Sequence, residues 1–378
     1  EPDDDLAALA AQLGRFMYFA GQHELASQRI ETALDIAEAL SLPEVLAQAL
    51  TTKGMLLTTR GRKQEGLAVM RFGLTTALEH DKPSAALRAS YNLADTLSQM
   101  DRYDEAVDLV RDGLAHARRV GNRYWEWSFL GQVYPLFAIG AWDEALEMIR
   151  ALPEEQWRQA RQAFGAAPSV GALIHVHRGN LDEAARIIEL FEEMATSADL
   201  QERAVHTCGK ARLLLAEGRP GEVLPLAAGG LELRATLGYT QEFLKELHVT
   251  AVEAALALGD TESVDALVGE LEALPLGTSS QFLQAQCSRF RAHLAAEDGD
   301  TTKAERLFKG ASGLFRELAF PFYLATTQLE YAEWMGGQGR TGELSPVVTE
   351  ARRVFDQLGA RPQLERAERI AGPAPVPA

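Results

Sequence analysis

A chain that repeats one short pattern many times at a nearly fixed spacing has little choice of fold, because each repeat must bury its apolar face against the next. In this sequence a turn signature followed by an acidic or small-residue helix start recurs at Gly21, Gly61, Asp101, Gly140, Gly179, Gly218, Gly259, Gly299 and Gly339. The successive spacings are 40, 40, 39, 39, 39, 41, 40 and 40 residues. Nine recurrences with so little drift are not chance. Five residues past each anchor, six of nine positions are Ala or Gly (Ala26, Gly66, Ala106, Ala145, Ala184 and Ala304), which lets two helices approach closely.

Nine residues past the anchors all positions are apolar: Ile30, Met70, Val110, Ile149, Ile188, Ala227, Val268, Phe308 and Val348. Twelve past, six of nine are again Ala or Gly. Offsets of five, nine and twelve follow the 3.6-residue period and lie along one helix stripe. A second helical stretch precedes each anchor, for example residues 45–59 and 85–100. Each repeat is therefore expected to be two antiparallel helices joined by a Gly turn. Pro43, Pro83 and Pro321 stand 22 residues past their anchors, where Pro suits the first turn of a helix. Strand-like alternation is absent, so the fold expected is an all-α solenoid stacked in one dimension.

The pattern resembles the tetratricopeptide (TPR) repeat, most closely in the first repeat, where Leu13 and Gly14 precede Gly21, Ala26 and Ala33 at that family's spacing. The resemblance implies a right-handed superhelical TPR-like solenoid of about nine antiparallel helix pairs. The family period is 34, so repeats near 40 require longer helices or wider turns. The segments LFRELAFPFYLATTQLEYAEW and ARRVFDQLGARPQLERAERI, from Leu314 and Ala351, look like the end of the TPR-like tails of large bacterial signalling ATPases. These are the class III nucleotidyl cyclase/NTPase fusions and the large ATP-binding LuxR-type regulators, whose catalytic and DNA-binding parts lie on other segments. A single array over 1–370 is expected, with a kink at 153–171 where Pro153, Gly165 and Pro168 break the pattern, and a Pro-rich tail over 371–378.

Composition narrows the function. The balance of 54 acidic against 37 basic residues, net −17, repels phosphate backbones, so direct nucleic-acid binding is not expected. No stretch reaches the roughly 18 apolar residues of a membrane span. Cys208 and Cys287, without a CxxC pair, read as small core residues of a cytoplasmic protein. The opening at Glu1 instead of Met suggests a piece of something longer.

No chemistry-bearing motif stands out. GxxxxGK, HExxH and GxSxG are absent, and His175 and His177, two apart on a helix, point in different directions. No catalytic, cofactor or metal site is expected. The densest composition is aromatic: Tyr124, Trp125, Trp127, Phe129, Tyr134, Phe137, Trp142 and Trp157 crowd a short stretch. Trp142 follows its anchor by two and reads as packing. Trp125 and Trp127 are about 200° apart around a helix, so one of them is a candidate for an inner groove, with Tyr124, Tyr134 and Trp157.

Arg88 and Asn92 fall where TPR co-chaperones hold a peptide carboxylate. Gln12, Gln48 and Thr52 occupy the matching positions in the preceding repeats, so a full clamp is missing and a solvated polar pair is the plainer reading. On that reading Ala106→Trp breaks packing and Arg88→Ala does not. The function expected is a non-catalytic interaction and sensor array that takes a protein, peptide or small ligand, or upstream domains of the same chain, and regulates an attached signalling ATPase, cyclase or transcription regulator. A free-standing scaffold or peptide-binding regulator is the alternative, and homo-oligomerisation is open to either.

Overall fold

A computed structural model describes residues 3–152, 154–157, 165, 167–275 and 277–371. Among them there are helices and turns and no strand. In chain order the α-helices are α1 (Asp4–Phe19), α2 (His23–Ala39), α3 (Pro43–Thr59), α4 (Lys63–Glu79), α5 (Pro83–Gln99), α6 (Tyr103–Arg119), α7 (Arg123–Gly131), α8 (Tyr134–Ala138), α9 (Trp142–Arg150), α10 (Glu154–Trp157) and α11 (Ala167–His177). They continue as α12 (Leu181–Leu190), α13 (Leu200–Ala216), α14 (Pro220–Leu231), α15 (Arg234–Leu237), α16 (Glu242–Leu258), α17 (Thr261–Glu272), α18 (Gln281–Glu297), α19 (Thr301–Glu317), α20 (Pro321–Gly337), α21 (Leu344–Leu358) and α22 (Arg361–Ala371).

All nine anchors have positive φ, from 60° at Asp101 to 82° at Gly140. The turn there is one recurring device. At the first anchor Gly21 N–H donates to Tyr18 O, and Gln22 N–H reaches back to Met17 O, 2.8 Å. That pair of bonds is the Schellman closure of a helix C-terminus, and Gln22 is at once the N-cap residue of α2. Joints between repeats use the same closure: Leu42 N–H bonds to Ala37 O around Ser41, whose φ is 54°. Several repeats are thus two 17-residue helices with three-residue turns, for example α3 and α4, so longer helices account for the period near 40.

The stripe predicted to face inward does so. Ile30, Met70, Val110, Val268 and Phe308 have no exposed surface, nor do Ala26, Ala106, Ala145, Ala184 and Ala304. Helices α3 and α4 approach closely, where a Cβ on Gly54 would lie 2.4 Å from Met70 Cγ and one on Gly66 2.7 Å from Gly54 O. Pro43, Pro83 and Pro321 each open a helix.

The chain forms two compact units, Glu1–Gln132 and Val133–Ala378. The boundary falls within the first helix of the fourth repeat, which ends at Gly131 and restarts at Tyr134 with Pro135 in its first turn. The sequence reading placed its break later, at 153–171, much of which lies outside the described residues. Pro168 does not kink a helix; it stands in the first turn of α11, where a missing N–H costs nothing. The tail beyond Ala371 is also outside the described residues.

The second unit departs from a one-dimensional stack, because its first helices pack against its last. Phe137 of α8 meets Phe320 edge-on at 5.9 Å, Trp142 of α9 meets Phe322 at 5.4 Å, and a Cβ on Gly140 would lie 2.8 Å from Pro321 Cγ. Its interior carries a charged chain across four successive first helices. Arg212 of α13 pairs with Glu253 of α16, Glu253 with Arg289 of α18 at 2.9 Å, and Arg289 with Glu330 of α20 at 2.7 and 2.5 Å. Burial alone would raise the Glu330 carboxyl, but the Arg289 guanidinium overcomes it and holds Glu330 well below the usual carboxylate range. Cys208 and Cys287 are buried thiols, each pushed up to about 12 by burial. No helix among the described residues is long and apolar enough to cross a membrane.

Candidate functional site

The first unit presents a half-buried polar stripe beside an aromatic edge, both on first helices. Residues at i, i+4, i+7 and i+11 share one helix face, and on α5 these are Arg88, Asn92, Asp95 and Gln99. Arg88 is only 8% exposed, which corrects its reading as a solvated residue. Its Nη1 donates to Gln48 O at 3.0 Å and its Nη2 to Thr52 Oγ1 at 2.6 Å, so it ties α5 to α3. Asn92 Nδ2 donates to the Arg88 carbonyl at 2.8 Å. Gln48 and Thr52, which failed to complete a clamp in the sequence, are the groups that occupy Arg88.

Asp95, one turn further along, was not singled out by sequence. Gln99 Nε2 donates to its Oδ2 at 2.9 Å. Burial is the larger influence on the carboxyl and pushes its pKa up to about 6, the Gln99 bond pulling the other way. Its position seven residues past Arg88 and three past Asn92 was the available signal. Tyr18 of α1 lies near enough for the Asp95 charge to help raise its phenol, after burial, and Tyr18 Oη is 3.3 Å from Thr59 Oγ1 of α3. Successive first helices α1, α3 and α5 thus contribute polar groups around one carboxylate.

The aromatic edge comes from α7 and α5. Tyr91, four residues before Asp95 and on its side of α5, packs on Trp125 at 5.6 Å and on Phe129 at 5.8 Å. Tyr124 is 56% exposed and meets Trp125 edge-on at 5.3 Å. Trp127 is half-buried on another side of α7 and carries the Arg123 guanidinium over its ring, 5.1 Å from the centroid. The local fold is set at both ends: Asn122 caps α7 by accepting from Trp125 N–H, and Gln132 Nε2 donates to Tyr91 O at 3.0 Å. The structure therefore sets Arg88 and Asn92 on the face of α5 that also carries Asp95, and joins Tyr124 and Trp125 to Tyr91 of that helix through ring contacts, with Trp127 turned to a neighbouring face.

Tyr134 and Trp157 do not join them. Both belong to the second unit and are buried: Tyr134 Oη donates to Glu246 Oε1 at 2.9 Å, and Trp157 stacks on Phe191 at 5.7 Å. Trp142 is buried among Phe137 and His177, as its packing role requires. A shallow hollow in that unit, lined by Thr301, Thr302, Glu305, Trp334, Gln338 and Arg340, has its carboxylate engaged by Arg340, Lys309 and Tyr331. No group of three His, Cys, Asp or Glu side chains placed to hold a metal ion occurs among the described residues.

No family model matches the chain, and no curated protein sequence matches it. Among solved structures, the chain is similar to a Rap protein complexed with competence and sporulation factor, at 12% identity and a TM-score of 0.47, over 98% of each chain. It is similar to the P58(IPK) TPR domain at 13% identity and a TM-score of 0.22, over 97% of this chain and 98% of that one. A circular tandem repeat protein aligns at 18% identity with a TM-score of 0.23, over 97% of this chain and 93% of that one.

Proposed function

We propose that the chain is a non-catalytic TPR-like interaction module whose first unit holds a cationic segment of a protein or peptide partner. The observation that carries the reading is the Asp95 carboxylate, half-buried on α5 one helical turn from Tyr91, whose ring packs on Trp125. A carboxylate beside aromatic faces recognises a Lys or Arg side chain twice, by charge and by cation–π attraction. Half-burial strengthens both by excluding water. The net charge of −17 adds long-range attraction for a basic partner and speeds encounter.

Occupancy is relayed, in this reading, to a signalling ATPase, cyclase or transcription regulator on the same polypeptide. Support for that step is the resemblance of the segments from Leu314 and Ala351 to the tails of such proteins. The relay requires the partner to bind two states of the protein with different affinity, since equal affinity shifts nothing.

A peptide display selection against the wild-type chain, counter-selected on Asp95→Asn, tests the binding step. Enrichment of Lys- and Arg-containing peptides that are lost on Asp95→Asn is the expected result. Enrichment of acidic or uncharged peptides, or of peptides indifferent to Asp95, would sink the assignment. The mass of the native protein tests the relay, because a free-standing protein near 41.3 kDa has no attached ATPase to regulate.

A further inference from the structure

Asp95 accepts one hydrogen bond where the buried carboxylates of the second unit accept several. Glu253 and Glu330 each accept from guanidinium groups, and Glu246 accepts from the phenols of Tyr134 and Tyr323. Asp95 accepts at Oδ2 from Gln99 Nε2, 2.9 Å away, and no Lys, Arg or His among the described residues pairs with it. Arg88, two turns back on the same face, directs its guanidinium to Gln48 and Thr52 instead. An ionised carboxyl offers about four lone-pair sites, so Asp95 Oδ1 keeps its capacity to accept. Two neutral acceptors stand near it. Thr59 donates its single hydroxyl proton to Met55 O at 3.0 Å, so in the 3.3 Å contact between Thr59 and Tyr18 the phenol is the donor. Tyr18 Oη is left with its lone pairs. Burial is the main cause that raises this phenol and the Asp95 charge adds to it, so the two groups feel each other across α1 and α5. Asn92, one turn before Asp95 on their shared face, gives its amide nitrogen to Arg88 O and keeps its oxygen.

We propose that this site, on the cationic reading given above, takes a primary ammonium group, the side chain of a lysine, in preference to the guanidinium of an arginine. A guanidinium binds a carboxylate best through two parallel N–H bonds to both oxygens, and Gln99 stands on one of them. An ammonium is a compact charge with three N–H donors on one atom. It needs one charged oxygen and two further acceptors to replace the water it gives up. Asp95 Oδ1, Asn92 Oδ1 and Tyr18 Oη are such a set, contributed by α5 and α1.

Recognition by N–H donation also separates lysine from its trimethylated form, which keeps the charge and has no donor. If the rings of Tyr91 and Trp125 carried the recognition, a trimethylammonium would bind at least as well as lysine, since ring faces attract the charge alone. With three oxygens as the recognising atoms, it binds worse.

Fixed-centre peptide libraries with uncharged flanks, capped by acetyl and amide groups, test the assignment on the intact chain at pH 7.5. The central residue is lysine, arginine, trimethyl-lysine or norleucine, and a further library carries central norleucine with a free amino terminus. Retention of the lysine library about tenfold above the arginine and trimethyl-lysine libraries is expected. Gln99→Ala, which frees Oδ2, should raise arginine to the level of lysine. Tyr18→Phe should lower lysine retention about threefold and leave arginine unchanged, a split that general loss of structure would not produce. Equal retention of lysine and arginine, both lost on Asp95→Asn, leaves the cationic reading standing and overturns the ammonium. Trimethyl-lysine retained as well as lysine assigns recognition to the rings and overturns it too. Retention of the free-amino library in place of lysine moves the ammonium to a peptide N-terminus and overturns the lysine. No library retained above capped norleucine overturns the cationic reading itself, and the ammonium with it.

Discussion

Arg178, at the end of the fifth repeat's first helix, donates from Nε to the carbonyl oxygen of Leu358, 3.0 Å away across 180 residues of chain. That carbonyl is one of those left open at the C-terminus of α21, and the bond fastens the early part of the second unit to its late part.

Arg178→Ala is expected to destabilise the second unit by about 1–3 kcal/mol, because it unpairs a helix-end carbonyl and removes the guanidinium stacked over Trp142. Arg178 also pairs with Asp143 at 2.7 Å, but Asp143 is 80% exposed. Asp143→Ala should therefore cost less than about 1 kcal/mol. Urea denaturation of both variants checks the contrast; equal losses would mean that the solvent-facing pair, and not the closure, carries the energy.

Arg88→Ala should cost about 1–3 kcal/mol, reversing the expectation drawn from sequence. The substitution leaves Thr52 Oγ1 and the Gln48 carbonyl without the donor they share. Arg88→Lys should recover only part, since an ammonium cannot reproduce the two-pronged geometry. A thermal midpoint unchanged in Arg88→Ala would contradict the tie between α3 and α5.

Gly66→Ala and Gly310→Ala should move stability in opposite directions. A Cβ on Gly66 meets Thr58 Cγ2 at 2.6 Å and Gly54 O at 2.7 Å, and the backbone oxygen cannot step aside cheaply. The expected cost is about 1–3 kcal/mol. Gly310 is helical and exposed, with nothing within 4 Å of its would-be Cβ. Alanine there should stabilise by about 0.5–1 kcal/mol. Calorimetric scans of the two variants decide, and a shift of the same sign in both would refute the close crossing of α3 and α4.

His177 sets part of the acid sensitivity. Its ring stacks among Phe137, Trp142 and Phe322, 4.1 Å from the last. Burial first, then the Arg212 charge, hold its pKa well below the usual histidine value. The folded pKa is depressed, so this stability is present above the unfolded value of about 6.5 and is lost as pH falls below it. Asp95 and Glu246, raised by burial, act in the opposite sense: their contribution is full below about pH 4 and is lost as pH rises. His177→Phe cancels the histidine share alone. Between pH 7.5 and pH 5 its melting temperature should fall less than that of the wild type, whereas parallel curves would show that His177 does not carry the effect.

The array was legible because its information is local and repeated. Glycines at the anchors, alanines five residues on and prolines opening helices each act within one turn of chain, so single residues reveal them. The closure of the second unit was not legible, since the contact of Arg178 with Leu358 depends on the summed rotation of several repeats and on no residue type. Pro135 did signal the restart of the fourth repeat's first helix, but the aromatic crowd around it drew the reading toward a groove. At the candidate site, Arg88 and Asn92 lie on the stripe of α5 that also carries Asp95. Asp95 was one of 54 acids until the structure showed its carboxyl raised by burial and Tyr91, one turn away, packed on Trp125.

The dissociation constant of the tightest display-selected peptide, measured for wild type and Asp95→Asn at pH 7.5 and pH 5, tests the central claim most directly. A basic peptide that binds the wild type about tenfold more weakly at pH 5, as protonation of Asp95 with a pKa of about 6 removes its charge, and that binds Asp95→Asn weakly at both, is the predicted result. Equal affinity for the two proteins at pH 7.5 would contradict it.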